Sequence, residues 1–358
     1  MGLVKKKTGK VAIISRESDS RTLDIAMLEA ELLRRGVDVT VLSKLLTKEK
    51  SLKALGYLGH VMRQEAAILG SDVVVLDTYC IPASMIPHGK GTKVIQMWHA
   101  LSAVKKFGWQ TVGKEGGSSE RTAKLMKMHR GYDYVTCASD VTADHFCEAF
   151  DVDKSRIVKC GLPRIDYIKS VALGDRREEM RRKILARYPQ LDSEKKTVLY
   201  APTFRRGKSV DVQSLIDALD PARFDLVVKL HPLYRGAQEE AEQANVIYDD
   251  DFGSYDWLSV ADVIISDYSS FVIESTLADK PLFIYAYDLD DYEANTGLNM
   301  DFGSEPIASY VFRDADLLAK QLAGGEYDLG ALRAFRDRYI DVDTENCTAA
   351  LADFIESL

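Results

Sequence analysis

The sequence predicts an α/β protein made of two doubly wound domains, each built on a parallel sheet. Short apolar, β-branched runs alternate with amphipathic stretches of helical spacing, which is typical of βαβ units. This alternation occurs on both sides of a charged segment that is poor in strand-forming residues, Ser170–Lys196. The length of 358 residues also suits two domains, since a domain commonly contains about 100–200 residues.

The first domain is predicted to span residues 1–168. Its opening strand, Val11–Ser15, is followed by an amphipathic helix over Leu23–Arg35, and Gly36 is a suitable residue to end that helix. A second helix is predicted over Ser51–Leu69. The other strands of this domain are predicted at Val37–Leu42, Val73–Leu76, Lys93–Met97, Tyr134–Ala138 and Ile157–Lys159.

A second domain is predicted over residues 197–335, after a helical linker at 169–196, and terminal helices follow at 336–358. Its strands are predicted at Thr197–Tyr200, Phe224–Leu230, Val263–Ser266 and Pro281–Ile284, with helices near Val212–Leu219, Tyr255–Val260 and Ser270–Leu277. Doubly wound sheets bind ligands beyond the carboxyl ends of their strands, so we expect a ligand cleft between the two domains.

Composition and motif absences exclude several classes of protein. With 47 Lys and Arg against 55 Asp and Glu, the net charge is −8, which is unfavourable for general nucleic-acid binding. No apolar run reaches the roughly 18 residues of a membrane span, and we expect no signal peptide. Five scattered cysteines without a C-x-x-C pair fit a reducing cytoplasm. A Walker A motif and a G-x-G-x-x-G fingerprint are both missing, which argues against P-loop and typical NAD enzymes.

His99 is the first candidate functional residue, because it directly follows an apolar strand. A histidine at that position faces the ligand side of a doubly wound sheet, and its ordinary pKa suits a general base. Lys105 and Lys106 follow and could meet an anionic substrate. The alternative is a packed histidine beside Trp98, with both lysines on a solvated surface.

Two further candidates follow strands of the second domain. Thr203 and Arg205 come after Thr197–Tyr200, and arginine is suited to bidentate phosphate binding. His231 ends the strand that contains Lys229, where it could stabilise charge on a pyrophosphate. A surface turn with a solvated arginine, and an ordinary loop histidine, are the alternatives.

The last candidate cluster follows Val263–Ser266. Asp267 ends this strand, and Ser269 and Ser270 open the predicted helix, so backbone N–H groups and two hydroxyls are expected to form an anion site. An ordinary serine N-cap would explain only one of the two serines. Glu274 could reach a ribose hydroxyl, although a solvated helix charge is the simpler interpretation. The acidic run at 288–291 lacks calcium-loop spacing, so neither a metal site nor a cofactor is expected.

Taken in order and spacing, these motifs resemble the CDP-glycerol glycerophosphotransferases of teichoic-acid biosynthesis. The resemblance runs from about Val94 to Asp301. The matching segments are Gln96–His99, Cys160–Asp166, Leu199–Arg205, Lys229–Pro232, Ser266–Ser270, Asp279–Pro281 and Tyr285–Leu289.

The resemblance implies a GT-B-like fold of two Rossmann-like domains facing across a cleft. It also implies transfer of glycerol phosphate or ribitol phosphate from a CDP-polyol to an acceptor hydroxyl on a lipid-linked cell-wall or capsule glycan, with release of CMP. His99 matches the family's proposed base, and His231 is the second catalytic candidate. The donor-binding candidates are Thr203, Arg205, His231, Asp267, Ser269 and Ser270, and the acceptor or phosphate candidates are Lys105, Lys106 and Arg164.

Other interpretations stay open at this stage. A GT-B nucleotide-sugar glycosyltransferase or epimerase would also place a nucleotide diphosphate in such a fold, and a degenerate, non-catalytic member would bind without turnover. The segment Lys44–Arg63 reads either as a helix covering the sheet or as a basic amphipathic helix that lies on an anionic membrane. With lipid-linked acceptors, the latter predicts a cytoplasmic protein on the inner face of the cell membrane.

Overall fold

The computed structural model describes residues 9–45, 53–89, 91–114, 117–191, 194–205, 209–230 and 244–358. The chain divides into two compact units. The first unit contains Met1–Asp166 together with Asp341–Leu358, and the second contains Tyr167–Ile340. Residues 169–196, expected to be a linker, therefore lie within the second unit, and the last helix belongs to the first.

The first unit is built on a six-stranded parallel sheet with the order β2-β1-β3-β4-β5-β6. All six strands were predicted from the sequence. Their bounds are Lys10–Ser15 (β1), Asp38–Ser43 (β2), Val73–Leu76 (β3), Lys93–Gln96 (β4), Tyr134–Cys137 (β5) and Ile157–Lys159 (β6). Every residue of β3 is buried, as expected for a central strand whose two faces are both covered by helices.

Helices connect these strands. They are Leu23–Arg34 (α1), Lys53–Gly70 (α2), Ile81–Met85 (α3), Glu120–Leu125 (α4), Asp140–Phe150 (α5), Pro163–Ala172 (α6, which continues into the second unit) and Cys347–Ser357 (α13). Helix α1 buries Ile25, Leu28 and Leu32 at helical spacing. Helix α13 packs beside α1, and Arg35 is hydrogen-bonded to Asp353 and Glu356.

The second unit carries another six-stranded parallel sheet, with the order β12-β11-β10-β7-β8-β9. The strands are Lys196–Ala201 (β7), Phe224–Val228 (β8), Val246–Tyr248 (β9), Val263–Ser266 (β10), Leu282–Tyr285 (β11) and Val311–Phe312 (β12). The two short outer strands, β9 and β12, were not predicted. They contain three and two residues; short length alone is not the reason, since the three-residue strand β6 was predicted.

Three helices predicted in the second unit, near Val212–Leu219, Tyr255–Val260 and Ser270–Leu277, are shorter in the structure or replaced by 3₁₀ turns. The helices of this unit are Arg177–Arg187 (α7), Gln213–Ala218 (α8), Phe271–Glu274 (α9), Leu289–Asn295 (α10), Ala315–Gly324 (α11) and Leu329–Tyr339 (α12). The predicted helix over Ser270–Leu277 is α9 followed by a 3₁₀ turn at Ser275–Ala278. The helix predicted near Tyr255–Val260 is a 3₁₀ turn at Asp256–Ser259.

Candidate functional site

Each unit has a switch point, where the sheet connections leave in opposite directions from two neighbouring strands. In the first unit this point lies between β1 and β3, and in the second between β7 and β10. Ligands of doubly wound sheets bind at the carboxyl ends of such strands. The candidate residues are therefore described at these two edges, one unit at a time.

His99 lies just beyond β4 in the first unit, with about a third of its side chain exposed. Its Nδ1 is 2.9 Å from the backbone oxygen of Asp77. A carbonyl oxygen only accepts hydrogen bonds, so Nδ1 carries the proton of the neutral ring and Nε2 keeps its lone pair. The Oε1 atom of Glu17 is 3.7 Å from Nδ1, close enough to stabilise the ring once it becomes positively charged.

The orientation of the His99 ring is set by Trp98. The two ring centroids are 4.1 Å apart, and Phe107 stacks on the indole at a centroid distance of 4.6 Å. Trp98 has a φ of 64°, a left-handed conformation that is unfavourable for a bulky residue. The backbone N–H of Trp98 donates to Oε1 of Gln96 at 2.9 Å, which helps to hold this turn.

Asp77 is a buried carboxyl that the sequence motifs did not single out. It follows β3 directly and is 2% exposed. Its Oδ2 accepts a hydrogen bond from the Ser15 hydroxyl at 2.8 Å, while Oδ1 has no partner among the described residues. Burial raises the pKa of Asp77 to about 7, although the bond from Ser15 opposes that rise. An acidic residue directly after the run Val73–Leu76 was the signal that could have revealed it.

The three candidates for acceptor or phosphate contact have different surroundings. Lys105 and Lys106 lie partly exposed on the connection that follows His99. Arg164, in contrast, forms a buried ion pair with Asp24, to which its Nε donates at 2.8 Å and its backbone N–H at 2.7 Å. This pairing changes the expectation for Arg164, because a neutralised guanidinium that joins α6 to α1 is a structural element of the first unit.

Asp267 organises the switch point of the second unit. It is fully buried and accepts hydrogen bonds from the backbone N–H groups of Thr203, at 2.8 and 3.0 Å, and of Tyr268, at 2.6 Å. These bonds tie together the loops that follow β7 and β10. The Thr203 hydroxyl is buried in the same loop and has no partner among the described residues.

Arg205 is paired with two carboxylates of the second unit. It donates to Asp267 at 2.7 Å, to Asp288 at 2.7 and 2.9 Å, and to the Thr203 oxygen at 2.8 Å. Its guanidinium also lies 4.9 Å from the ring centroid of Tyr287. Burial disfavours its charge, but the bonds to Asp288 and the charge of Asp267 outweigh burial and raise the pKa of Arg205. These bonds fasten the loops that present Thr203, and a contact of Arg205 with the donor stays a prediction.

The serine cluster at the start of α9 is partly committed to local hydrogen bonds. Ser269 accepts from the Phe271 N–H at 3.3 Å, and Ser270 donates to Glu274 at 3.1 Å. Glu274 is 2% exposed and accepts a second bond from Tyr255 at 2.6 Å. The expectation of a solvated charge at Glu274 is therefore wrong, because this carboxylate is a buried anchor for the loop.

An ion pair lies at the carboxyl end of β8 in the second unit. Lys229 donates to the carboxylate of Asp249 at 2.8 Å and to its backbone oxygen at 2.6 Å. Asp249 also accepts from Trp257 and Tyr188. His231, predicted to contact the donor, lies outside the described residues.

Two kinds of feature are missing from the described ranges. No three His, Cys, Asp or Glu side chains converge there as metal ligands would. In the same ranges, each helix is too short or too polar to reach across a bilayer.

Comparisons with known proteins agree with the motif pattern. The chain is 31% identical to the teichoic acid ribitol-phosphate primase of Bacillus spizizenii, over 84% of this chain and 79% of that protein. It is 29% identical to the teichoic acid glycerol-phosphate primase of Bacillus subtilis, over 84% and 77% of the two chains. The structure of the wall teichoic acid polymerase TagF (H548A) superimposes with a TM-score of 0.74 at 18% identity, covering 98% of this chain and 89% of that one, which confirms the GT-B-like fold. The sequence model of one family matches residues 3–357, and the chain therefore belongs to the CDP-glycerol:poly(glycerophosphate) glycerophosphotransferase family.

Proposed function

We propose that this protein transfers a polyol phosphate from a CDP-polyol to an acceptor hydroxyl and releases CMP, with His99 as the general base. The observation that carries the assignment is the bond from Nδ1 of His99 to the Asp77 backbone oxygen. It leaves Nε2 as a proton acceptor on a ring that is held in place and partly exposed. The proposed step uses no cofactor, because the CDP-polyol brings its own activated phosphoryl group.

The proposed chemistry balances without any further reagent. The acceptor oxygen attacks the phosphorus that carries the polyol, and its proton passes to Nε2 of His99. The bond from that phosphorus to the bridging oxygen breaks, and the electron pair leaves with CMP. Glu17 stabilises the imidazolium at a distance of 3.7 Å, and the ring then loses its proton to solvent. Proton transfer of this kind commonly contributes about 10²–10⁴-fold in rate.

Donor recognition is assigned to the second unit. The unpartnered Thr203 hydroxyl and the half-buried serines Ser269 and Ser270 are the proposed donors of hydrogen bonds to the pyrophosphate, together with His231. Asp267 and Arg205 act by holding the Thr203 loop. The relatives include a ribitol-phosphate and a glycerol-phosphate primase, so both CDP-polyols are candidate donors.

The reaction class is tested by measuring CMP release from CDP-glycerol and CDP-ribitol with lipid-linked glycan acceptors. A UDP-sugar serves as the control for the alternative of a nucleotide-sugar glycosyltransferase or epimerase. Acceptor-dependent CMP release from a CDP-polyol is expected. Turnover of the UDP-sugar, without CMP release from either CDP-polyol, would instead favour that alternative.

The role of His99 is tested with His99→Asn and His99→Ala. Asparagine places an N–H donor near the position of Nδ1 and so can keep the bond to the Asp77 oxygen, but it has no basic nitrogen. Both variants should lose about 10²–10⁴-fold in kcat while binding the CDP-polyol as the wild type does. A wild-type kcat in His99→Asn would show that the base lies elsewhere.

We further propose that the acceptor is lipid-linked and that the protein works at the inner face of the cell membrane. Support comes from helix α2, where Leu58, Met62 and Leu69 are 57%, 64% and 55% exposed and lie on one side at a spacing of about one and two turns. Part of the basic segment Lys44–Arg63, at 46–52, lies outside the described residues. Co-sedimentation with anionic vesicles should be weakened by Met62→Glu, and unchanged sedimentation would count against this surface.

A further inference from the structure

Arg16 is a cation at the switch point of the first unit that no step above uses. It follows β1 directly and is partly buried. Its guanidinium lies 5.3 Å from the centroid of the Tyr79 ring. Its positive charge lowers the pKa of the Tyr57 and Tyr79 hydroxyls against the larger rise that burial causes, so the cation faces these two phenols.

No carboxylate neutralises Arg16 within the described part of the chain, and its buried Nε has no hydrogen-bond partner there. Three other partly or fully buried cations of this protein are paired with carboxylates. Arg164 is paired with Asp24, Arg205 with two carboxylates, and Lys229 with Asp249. In a chain with more acidic than basic residues, a partly buried guanidinium without a carboxylate partner is unusual, because the hydrogen bond with Tyr57 and the contact with the Tyr79 ring offset only part of its desolvation.

Thr78 supplies a second unpartnered group at the same edge. Strands β1 and β3 pair in parallel as far as Ile14 and Leu76, and Arg16 and Thr78 each follow two residues after this last pair. Thr78 is 5% exposed, and its hydroxyl has no partner at ordinary hydrogen-bond distance among the described residues, although a weaker interaction with the neighbouring carboxyl lowers the pKa of Asp77. A buried hydroxyl without a partner carries a free-energy cost that a bound ligand would remove.

The neighbouring carboxyl of Asp77 is only partly ionised near neutral pH and so offsets only part of the positive charge at this edge. Burial raises the pKa of Asp77 to about 7, so its carboxyl is largely protonated below neutral pH. Glu17 is directed toward His99, at 3.7 Å from Nδ1. The edge of β1 and β3 therefore presents one guanidinium and one hydroxyl, which is a donor set suited to a phosphate oxygen.

We propose that Arg16 and Thr78 form a subsite for a phosphate group of the acceptor, next to the base. The subsite and the base are linked through one residue, since the backbone oxygen of Asp77, which precedes Thr78, holds the His99 ring. An acceptor that carries a phosphate close to its reacting hydroxyl would be anchored there while His99 removes the proton. This inference rests on the proposed function for its link to the acceptor, but not for the binding of the anion.

Direct binding is the first test, because it does not depend on turnover. Calorimetric titration of glycerol 3-phosphate into the full-length protein should show binding, whereas glycerol should not bind. Arg16→Gln should weaken the affinity by about 10- to 100-fold and Thr78→Val by about 3- to 10-fold. Arg21→Gln is the matched control, since Arg21 is an exposed arginine of the same unit that is paired with Glu29. Equal affinity in the wild type and in both site variants would overturn the subsite.

Kinetics then identify which substrate the subsite serves. With an acceptor glycan that ends in glycerol phosphate, Arg16→Gln should raise the acceptor KM about 10- to 100-fold and leave the KM for the CDP-polyol unchanged. With the same glycan lacking the phosphate, the variant and the wild type should agree. A rise in the donor KM alone would overturn the assignment to the acceptor. If the wild type released no CMP from any CDP-polyol but still bound glycerol 3-phosphate through Arg16, the proposed reaction would be refuted and the anion subsite would be supported.

Discussion

Replacing Asp77 by asparagine should change how the stability of the first unit depends on pH. The carboxyl is 2% exposed, and its Oδ2 accepts a hydrogen bond from the Ser15 hydroxyl. Asparagine has nearly the same shape and can still accept that bond through its oxygen. It cannot ionise, so it removes the titration and leaves the packing largely intact.

The magnitude follows from the difference in the pKa of Asp77 between the two states. The carboxyl has a pKa of about 7 when folded and 3.8 as its ordinary value. Between these pH values the folded protein keeps a proton that the unfolded chain has lost. The contribution of Asp77 to the free energy of unfolding is therefore largest below about pH 4 and is lost as the pH rises through 7. At about 1.4 kcal/mol per pH unit, the wild type loses about 3 kcal/mol between pH 5 and pH 8 through this group.

The free energy of unfolding of Asp77→Asn, relative to that of the wild type, should thus increase by about 3 kcal/mol between pH 5 and pH 8. Urea unfolding followed by ¹⁹F NMR of 5-fluorotryptophan separates the units, because Trp98 and Trp109 lie in the first and Trp257 in the second. Asp38→Asn, at a carboxylate 62% exposed on β2, is the control and should show little change. A free-energy difference between Asp77→Asn and the wild type that is the same at pH 5 and pH 8 would refute the reasoning.

Two further predictions concern stability. Arg205→Met leaves two carboxylates without their shared cation and should destabilise the second unit by about 3–5 kcal/mol. Arg205→Lys should recover part of this stability, and the urea midpoints of both variants measure the effect. A loss below about 1 kcal/mol for the Met variant would contradict the buried network. Gly108→Ala should lower the melting temperature sharply, because φ is +56° and a Cβ atom would lie 2.1 Å from the Ala149 oxygen. Gly113→Ala has a similar φ with nothing within 4 Å, so it should show only the smaller cost of the left-handed backbone, about 1–2 kcal/mol; equal losses in the two variants would exclude the contact as the cause.

Much of the fold was predictable because its signals are local. Continuous apolar runs such as Val73–Leu76 are typical of strands buried on both faces, and their alternation with helical patterns implies parallel sheets. The position of His99 directly after a strand predicted that it lies at the ligand edge of a sheet. Strands β9 and β12 at the margins of the second sheet were not recognised, because their pairing depends on neighbours from elsewhere in the chain.

The sequence by itself determined the α/β class, most of the strands and the family, because periodicity and motif order are properties of the linear chain. Tertiary structure alone decided which polar groups are neutralised and which stay available. Arg164 meets Asp24 across 140 positions, and Arg205 meets Asp288 across 83, so both guanidinium groups are paired with carboxylates, whereas Arg16 meets no carboxylate among the described residues. Charge pairing depends on distance in space and on burial, and neither quantity can be read from the spacing of residues along the chain.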